Sequence, residues 1–166
     1  MRTSPVTDAE LAAQARAGSG EAFGALVERH AERARRVARA ALLDPHDADD
    51  AVQDALYSAW QALDRFDPAR PFGPWFVKIV VNAAADLRRR RKLRRTEEVP
   101  AGTPDTRAGP DRDTDRALLR EALDRALATL PDRRRMALVL HDAEGYVHEE
   151  IAAMLDVPVG TVRSDV

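Results

Sequence analysis

The clearest periodic pattern in the chain lies between positions 48 and 63. Apolar residues recur there every three or four positions, at Ala48, Ala51, Val52, Ala55, Leu56, Ala59, Trp60 and Leu63. This spacing places them on one face of a helix, so we expect Trp60 in the core with the others. Polar residues occupy the opposite face: Asp49, Asp50, Gln53, Asp54, Tyr57 and Gln61. The pattern predicts an amphipathic helix with an acidic outer face.

The rest of the chain also carries helical signals. Thr7 and Glu10 have the spacing of a capping box, and Asp44-Pro45 ends a helix because the residue before proline avoids helical geometry. A loop is predicted over residues 64–74, which contain Pro68, Pro71 and Pro74. Further helices are predicted over residues 7–17, 21–43 and 75–94, then around Leu118–Leu127, from Pro131 to about Gly145, over 149–155 and from Val159 onward.

Residues 96–115 have a different composition. Pro100, Gly102, Pro104, Gly109 and Pro110 are mixed there with polar residues and no apolar period is visible, which predicts a flexible linker. Strand-forming residues are sparse throughout the chain. We therefore predict an all-α protein with two small helical domains, residues 1–95 and 116–166, joined by this linker.

Charge is distributed unevenly between the two predicted domains. Residues 1–95 hold 17 Lys or Arg and 13 Asp or Glu, whereas the remaining residues hold 9 and 15. Most of the basic excess lies in one run, residues 88–95. Six of the eight aromatic residues lie between positions 57 and 76, just before this run. Arginines beside exposed rings suit single-stranded nucleic acid, but a solvated helix end explains the run equally well.

The positions of two of these aromatic rings are ambiguous, and a third ring is expected in the hydrophobic core. Phe76 lies on an apolar stripe and is predicted to belong to the core, whereas Phe72 and Trp75, in or next to the proline-rich loop, fit either the core or base stacking.

The composition excludes several kinds of protein. The chain has no cysteine, which excludes disulfides and cysteine-ligated metals, and its four histidines have no metal-ligand spacing. No apolar run is long enough to span a membrane, and no signal peptide is evident. We expect a cytoplasmic protein without membrane insertion, metal or cofactor. No nucleophile, paired carboxylates or phosphate-binding glycine loop indicates an enzyme, and no catalytic residue is assigned.

The last twenty residues have the pattern of a helix-turn-helix. Ala152 lies where the two helices would cross, Val157 follows the turn, and Val162 would hold the second helix against the first. An ordinary helical hairpin would show a similar pattern. The acidic cluster of Asp47, Asp49, Asp50 and Asp54 with Gln53 suits docking to a basic partner better than helix-dipole capping, with metal binding third.

Taken in order, these segments resemble a bacterial sigma factor of the extracytoplasmic-function (ECF) group in the sigma-70 family. The resemblance covers roughly residues 8–95 and 116–164. It rests on residues 22–30, on Asp47–Asp54 with Trp60, on Phe66 through Phe72 to Trp75, on Ile79–Asn82 with Asp86, Arg88 and Arg89, on Leu130-Pro131, and on Glu149–Ala152 with Val159–Val162.

The resemblance implies a sigma-2-like first domain and a sigma-4-like second domain. In the family, the first docks on the clamp coiled coil of the largest subunit of core RNA polymerase and binds the melted minus-ten element of promoter DNA. It implies polymerase-docking roles for Asp49, Asp50, Gln53, Asp54 and Tyr57. It also implies that the loop and Asn82 hold a flipped base of the minus-ten element. The minus-ten contacts implied by the resemblance are made by Phe66, Arg70, Phe72, Trp75, Lys78, Asn82, Arg88 and Arg89.

The second domain would read the minus-thirty-five element with the helix beginning near Val159. The residues implicated are Val159, Gly160, Thr161, Arg163 and Ser164. Val147 stands where relatives place a Ser or Thr cap, and Asp156 where glycine is usual. The chain ends at Val166, so we expect either a truncated recognition helix or impaired upstream recognition. Family members are often held inactive by an anti-sigma factor, which the resemblance implies as a further partner.

Two other functions fit parts of the pattern. A stand-alone DNA-binding regulator would use only the helix-turn-helix, with the first domain for sensing or dimerisation. A small metal-dependent enzyme would use the aspartates of the 48–63 helix. Charge reversal on the acidic face separates the sigma factor from the regulator, since only a sigma factor needs that face to bind polymerase.

Overall fold

The computed structural model describes residues 6–97 and 114–166, with side-chain positions for 6–94 and 118–166. Within these ranges the chain forms helices and no β-strand, which confirms the predicted all-α fold. The helices are α1 (Asp8–Arg16), α2 (Gly20–Leu42), α3 (Pro45–Ala62), α4 (Phe72–Glu97), α5 (Thr114–Ala128), α6 (Asp132–Leu138), α7 (His148–Leu155) and α8 (Val159–Asp165). Most of the predicted linker lies outside the described residues, and the domain boundaries stay a prediction.

A side-chain cap fixes the start of α1 as expected, and a second cap, which was not predicted, fixes the start of α3. The hydroxyl oxygen of Thr7 accepts a hydrogen bond from the Glu10 amide at 3.2 Å, while the Thr7 amide donates to the Glu10 carboxylate at 2.7 Å. At α3, the Asp44 carboxylate accepts from the Asp47 amide at 2.9 Å, and Pro45 takes the first helical position. Both arrangements satisfy amides that have no partner within the helix.

The first domain is built on mutual packing of α2, α3 and α4, with α1 against α2. Small residues fill much of the contact between α2 and α3: Ala34, Ala38, Ala41, Ala48, Ala51, Ala55 and Ala59 are all buried. Because alanine side chains are short, the two helix backbones can lie close together. None of the described helices is long and apolar enough to cross a lipid bilayer.

Helix α4 begins earlier than predicted. The expected start was Trp75, because Pro74 breaks helices in their interior. In the structure α4 starts at Phe72, which places Pro74 in the first turn. Amide groups of a first turn have no acceptor within the helix, so proline is tolerated there. A short 3₁₀ turn, Leu63–Arg65, precedes the remaining loop.

The second domain contains α5 to α8, as expected, and one irregular element. Helix α6 continues into a π-helical turn, Val139–Ala143, in which the Glu144 amide donates to the carbonyl of Val139 at 3.1 Å. Gly145 then ends the turn with a φ of +75°, a conformation in which glycine carries no steric penalty. The leucine face predicted for α5 is not packed away: Leu118, Leu119 and Leu123 are exposed.

The two domains contact each other directly. Helix α7 packs on α4, α6 packs on α2, and the π-helical turn also touches α2. The buried apolar residues of both domains belong to one core cluster.

Leu43, which ends α2, has a left-handed backbone with φ of 61°. This conformation costs a non-glycine residue about 1–2 kcal/mol, and the exposed Leu43 side chain loses little burial on removal. We expect Leu43→Gly to raise the free energy of unfolding by about 1 kcal/mol, measured by urea denaturation. The neighbouring Leu42→Gly variant lies within the helix and should lower it. Destabilisation by both would contradict the assigned strain.

Candidate polymerase and nucleic-acid interfaces

The polar face of α3 forms an exposed strip, which we call the acidic ridge: Asp49, Asp50, Gln53, Asp54 and Tyr57. The apolar face of the same helix packs on α2 and α4, so the ridge points outward. Tyr57 is 65% exposed and has no core role. Exposed acids and an exposed aromatic on one rigid helix suit docking to a basic protein surface.

Asp47 is an exception to the predicted acidic face. We expected its carboxylate among the exposed acids, but Asp47 is buried and pairs with Arg91 of α4. Burial raises the pKa of Asp47 above its ordinary value, an effect that the charge of Arg91 opposes. Asp47 therefore joins α3 to α4 and is not available for docking.

Trp60 was expected in the core, and this expectation is wrong. Its side chain is 44% exposed and lies edge-on to Phe23 of α2, with ring centroids 5.0 Å apart. Trp60 lies at the rim of the helix contact, although Leu63, the next large residue of the same apolar stripe, is buried.

The aromatic residues of the loop and α4 form a packed cluster. Phe72 is 1% exposed, and its ring centroid lies 5.6 Å from that of Phe66, 5.3 Å from Trp75 and 5.6 Å from Phe76. Phe76 is buried as predicted. Phe72, which fitted either the core or base stacking, belongs to the core, because the early start of α4 turns its ring inward. Phe66 packs on Phe72 and is also buried, which does not favour the base contacts that the resemblance implies for these two rings. Trp75 is only partly buried.

A cavity of about 370 Å³ lies under the loop, against α1 and α2. Its polar walls come from Asp8, His30, Arg33 and Arg70. Nε2 of His30 lies 2.7 Å from the Asp8 carboxylate. A Cβ atom on Gly73 would lie 3.2 Å from the His30 ring, so the start of α4 approaches α2 closely here.

Asp8 shows how this wall is held in place. Burial acts to raise the pKa of Asp8, but the hydrogen bonds from His30 and Arg29 outweigh it and hold the pKa below its ordinary value. Asp8 is thus ionised at neutral pH and ties α1 to α2. Asp8, His30 and Arg33 were not predicted to line a site, because their contacts join segments that are distant in sequence. The only local signal was the acidic residue following the Thr7 cap.

Lys78 and Asn82 are exposed on the outer side of α4, as predicted. The basic run that follows is paired within the molecule: Arg88 with Asp132, Arg89 with Asp86, Arg90 with Asp54 and Arg91 with Asp47. The sequence pattern suggested free cations for phosphates, whereas these four guanidinium groups hold intramolecular ion pairs. Except for Asp47, the partners are exposed carboxylates, and such pairs exchange readily for other anions.

The helix-turn-helix is present in the second domain. Val162 of α8 and Ala152 of α7 are buried at the contact between the two helices, as predicted. Asp156 takes the left-handed conformation in the turn, with φ of 55°. The side chain of Val147 makes no cap hydrogen bond, and the Glu150 carboxylate accepts instead from the Val147 amide at 3.1 Å.

The predicted DNA-reading residues of α8 are partly exposed. Gly160, Arg163 and Ser164 face solvent, while Val159 and Thr161 are half-buried. Arg163 lies 3.3 Å from Glu149 of α7. The carboxylate of Asp165 accepts from Arg133 at 2.6 Å, which fixes the end of α8 to α6 and lowers the pKa of Asp165.

Two sequence families match the chain, one in each domain. Sigma-70 region 2 matches residues 26–94, and the region 4 family of sigma-70 factors matches residues 120–166. RNA polymerase sigma factor CnrH of Cupriavidus metallidurans is 35% identical over 165 residues, covering 94% of this chain and 86% of the relative. ECF RNA polymerase sigma factor SigM of Mycobacterium tuberculosis is 39% identical over 158 residues, covering 95% of this chain and 78% of the relative.

Solved structures agree with the sequence matches. CnrH in complex with the cytosolic domain of CnrY matches with a TM-score of 0.71 and 34% identity, covering 96% of this chain and 89% of that chain. The sigma factor RpoE in complex with the anti-sigma factor NepR from Bartonella quintana matches with a TM-score of 0.70 and 25% identity, covering 87% and 89%. With both sigma regions in order and relatives aligned over most of their length, the chain belongs to the ECF sigma factors of the sigma-70 family.

Proposed function

We propose that this sigma factor docks on core RNA polymerase through the acidic ridge and directs it to promoter DNA that both domains read. The family assignment supplies the coarse role, promoter-directed initiation of transcription. The single observation that carries the residue-level proposal is the exposure of the whole ridge on a helix whose other face is buried. An exposed acidic strip with a tyrosine at its C-terminal end has the composition of a steering and anchoring surface. The partner surface is the clamp coiled coil of the largest polymerase subunit.

The minus-ten site is proposed at the loop, its cavity and the outer side of α4. Asn82 carries an amide that both donates to and accepts from a base edge. Lys78, Arg70 and the exchangeable pairs of Arg88 and Arg89 supply cations for the phosphates. Trp75, which is only partly buried, is the aromatic ring best placed to contact a base. Phe66 and Phe72 support the loop from inside the core.

The minus-thirty-five site is proposed at α8, the recognition helix of the helix-turn-helix. Thr161, Arg163 and Ser164 extend from it, with Val159 and Gly160 at its start. When DNA binds, the Arg163 side chain would leave its ion pair with Glu149 and contact the DNA instead.

The role, the cellular location and a further partner of the protein follow from the same family assignment. The protein acts as a binding subunit without catalysis of its own or a cofactor, and it works in the cytoplasm, where polymerase and DNA are found. Both solved relatives described above carry a bound protein, the cytosolic domain of CnrY in one and the anti-sigma factor NepR in the other. That supports an anti-sigma factor as a further partner of this chain.

The polymerase contact is tested by reversing charge on the ridge. Asp49→Lys/Asp50→Lys is preferred to a change at Asp54, because Asp54 also pairs with Arg90 at 3.2 Å. Placing lysines against a basic surface is expected to weaken binding of purified core polymerase about tenfold or more, measured by fluorescence anisotropy of the labelled sigma factor.

The control reverses two exposed acids of α2, Glu21→Lys/Glu28→Lys, and should bind like the unmodified protein. Equal binding by the ridge variant would contradict the docking proposal and favour a regulator that works through its helix-turn-helix alone. Circular dichroism checks whether both variants keep their helical content.

A further inference from the structure

The loop that follows α3 is fixed to the rest of the first domain at its two ends. At its tip the Asp67 carboxylate accepts a hydrogen bond from the Ala69 amide, and the Asp67 carbonyl accepts one from the Arg70 amide, both at 3.0 Å. These bonds shape a turn but join it only to itself. The rings of Phe66 and Phe72, which flank the turn, are buried in the aromatic cluster. The position of the turn is therefore decided where its flanking residues pack.

His30 of α2 supports the C-terminal end of this loop. Its ring centroid lies 5.3 Å from that of Phe72. The same ring lies against Gly73, where a Cβ atom would be 3.2 Å from Cε1 of His30 and 3.4 Å from Nδ1. This gap leaves no room for a side chain unless the imidazole moves. The backbone at the start of α4 thus rests directly on His30, whose own side chain is only 12% exposed.

Asp8 of α1 orients the His30 ring. The Asp8 carboxylate is ionised and can only accept a hydrogen bond, so Nε2 of His30 carries the proton and donates at 2.7 Å. A ring held by one nitrogen in this way keeps its other edge, Nδ1 and Cε1, turned toward Gly73. We call Asp8 and His30 the spacer pair.

The spacer pair separates two walls of the cavity under the loop. Loop residues 68–71 line one side, and Asp8 and His30 line the other. The volume of about 370 Å³ lies within the range of sites that hold small organic ligands. Without the imidazole, the start of α4 and the loop before it would move toward α2, and the cavity would become narrower.

We propose that the spacer pair sets the width of this cavity, and that His30 is thereby a positioning residue for recognition of an unpaired minus-ten base. This role rests on the proposed function, which places that base at the loop. His30 acts through the loop, and Asp8 acts through His30.

The test uses holoenzyme reconstituted from core RNA polymerase and the full chain. It is mixed with a pool of short single-stranded DNAs of random sequence, and sequencing of the retained strands gives the enriched motif. His30→Ala holoenzyme should retain this motif about tenfold less well, because a displaced loop no longer matches the base. Binding to core polymerase should change by less than about twofold, since the acidic ridge lies on α3.

Arg29→Ala provides the matched control. Its guanidinium is the other partner of Asp8, at 2.9 Å, but does not line the cavity. This variant should retain the motif like the unmodified protein, whereas Asp8→Ala should lower retention because the His30 ring loses the acceptor that orients it. Unchanged retention by His30→Ala, or an equal loss in Arg29→Ala, overturns the positioning role.

A second variant covers the case in which His30→Ala fails to fold, as judged by circular dichroism. Gly73→Ala places a methyl group against the intact imidazole and pushes the loop without removing a hydrogen bond, so it should lower retention. If His30→Ala folds, adding Gly73→Ala to it should cause no further loss, because the methyl group then has room. Unchanged retention by Gly73→Ala, or an equal further loss without the imidazole, contradicts the proposal.

Trp75 gives a readout that does not depend on DNA. In a Trp60→Phe background it is the only tryptophan of the chain, and its ring centroid lies 5.3 Å from that of Phe72. Displacement of the loop by His30→Ala or Gly73→Ala should increase quenching of its fluorescence by acrylamide, and unchanged quenching in both overturns the spacer. If quenching increases but the unmodified holoenzyme forms and enriches no motif, the spacer stands as a structural device and the minus-ten part of the proposed function fails.

Discussion

Replacing Phe72 by alanine is expected to lower the free energy of unfolding by about 3–5 kcal/mol. The ring is 1% exposed and contacts three other aromatic rings and His30, whose centroid lies 5.3 Å away. Its removal leaves a cavity at the point where the loop joins α4, and neighbours on rigid helices can fill only part of it. Urea denaturation followed by circular dichroism measures the loss.

Two controls separate core packing from a role at the surface. Phe72→Leu keeps most of the volume and should cost less than half as much, whereas Tyr57→Ala removes an exposed ring and should change stability by no more than about 0.5 kcal/mol. The result that contradicts a core role is unchanged stability of Phe72→Ala together with lost binding to single-stranded promoter DNA. That result would restore Phe72 to the base-contacting residues.

Arg135→Ala is expected to destabilise the protein by about 3–5 kcal/mol. Arg135 is 2% exposed and lies on α6, yet its guanidinium donates to the carbonyls of Ala40 and Ala41 at the end of α2. It also donates to the Leu130 carbonyl at 3.0 Å and to the Asp132 carboxylate at 2.6 Å. Alanine would leave the buried carbonyls of Ala40 and Ala41 without this donor. The same denaturation experiment measures the effect.

The neighbouring arginine provides the control. Arg134→Ala removes an exposed side chain that donates to the Asp165 carbonyl at 3.2 Å, and should cost less than about 1 kcal/mol. Arg135→Lys should fail to rescue, since one ammonium group cannot reach acceptors on both helices in the fork geometry of a guanidinium. Full stability of Arg135→Lys would show that charge alone, without the fork, satisfies the site.

Local signals predicted much of the fold. The Thr7 cap and the helix break at Asp44-Pro45 depend on neighbours in sequence, so the pattern of residues contains the information. The same holds for the outward position of the acidic ridge, because helical periodicity fixes which side of α3 is polar. Asn82 and Lys78 were placed correctly for this reason.

The incorrect predictions concern side chains whose positions are determined by tertiary contacts. Phe72 was assigned to a loop because Pro74 follows it, yet proline is harmless in a first turn and the ring became core. Trp60 lies on an apolar stripe but outside the area that other helices cover. The basic run of α4 was interpreted either as a nucleic-acid contact or as a solvated helix end, but its arginines pair with acids of α3 and α6 and, for Arg89, with Asp86 of α4 itself. No pattern along the chain shows which acid will meet which base across 36 or 44 positions, the separations of the Arg90–Asp54 and Arg88–Asp132 pairs.

The π-helical turn sets the rotational phase of everything that follows α6. A regular helix rotates about 100° per residue, and the wider turn at Val139–Ala143 absorbs a residue that would otherwise advance that rotation. Loss of a single residue there would let α6 run on as a regular helix with Glu144 still on the side that faces α2. An inserted residue that the turn did not absorb would instead rotate Glu144 by about 100°, away from Arg33 and Arg36 of α2. Contact between the two domains at this point is thus a matter of spacing as much as of chemistry.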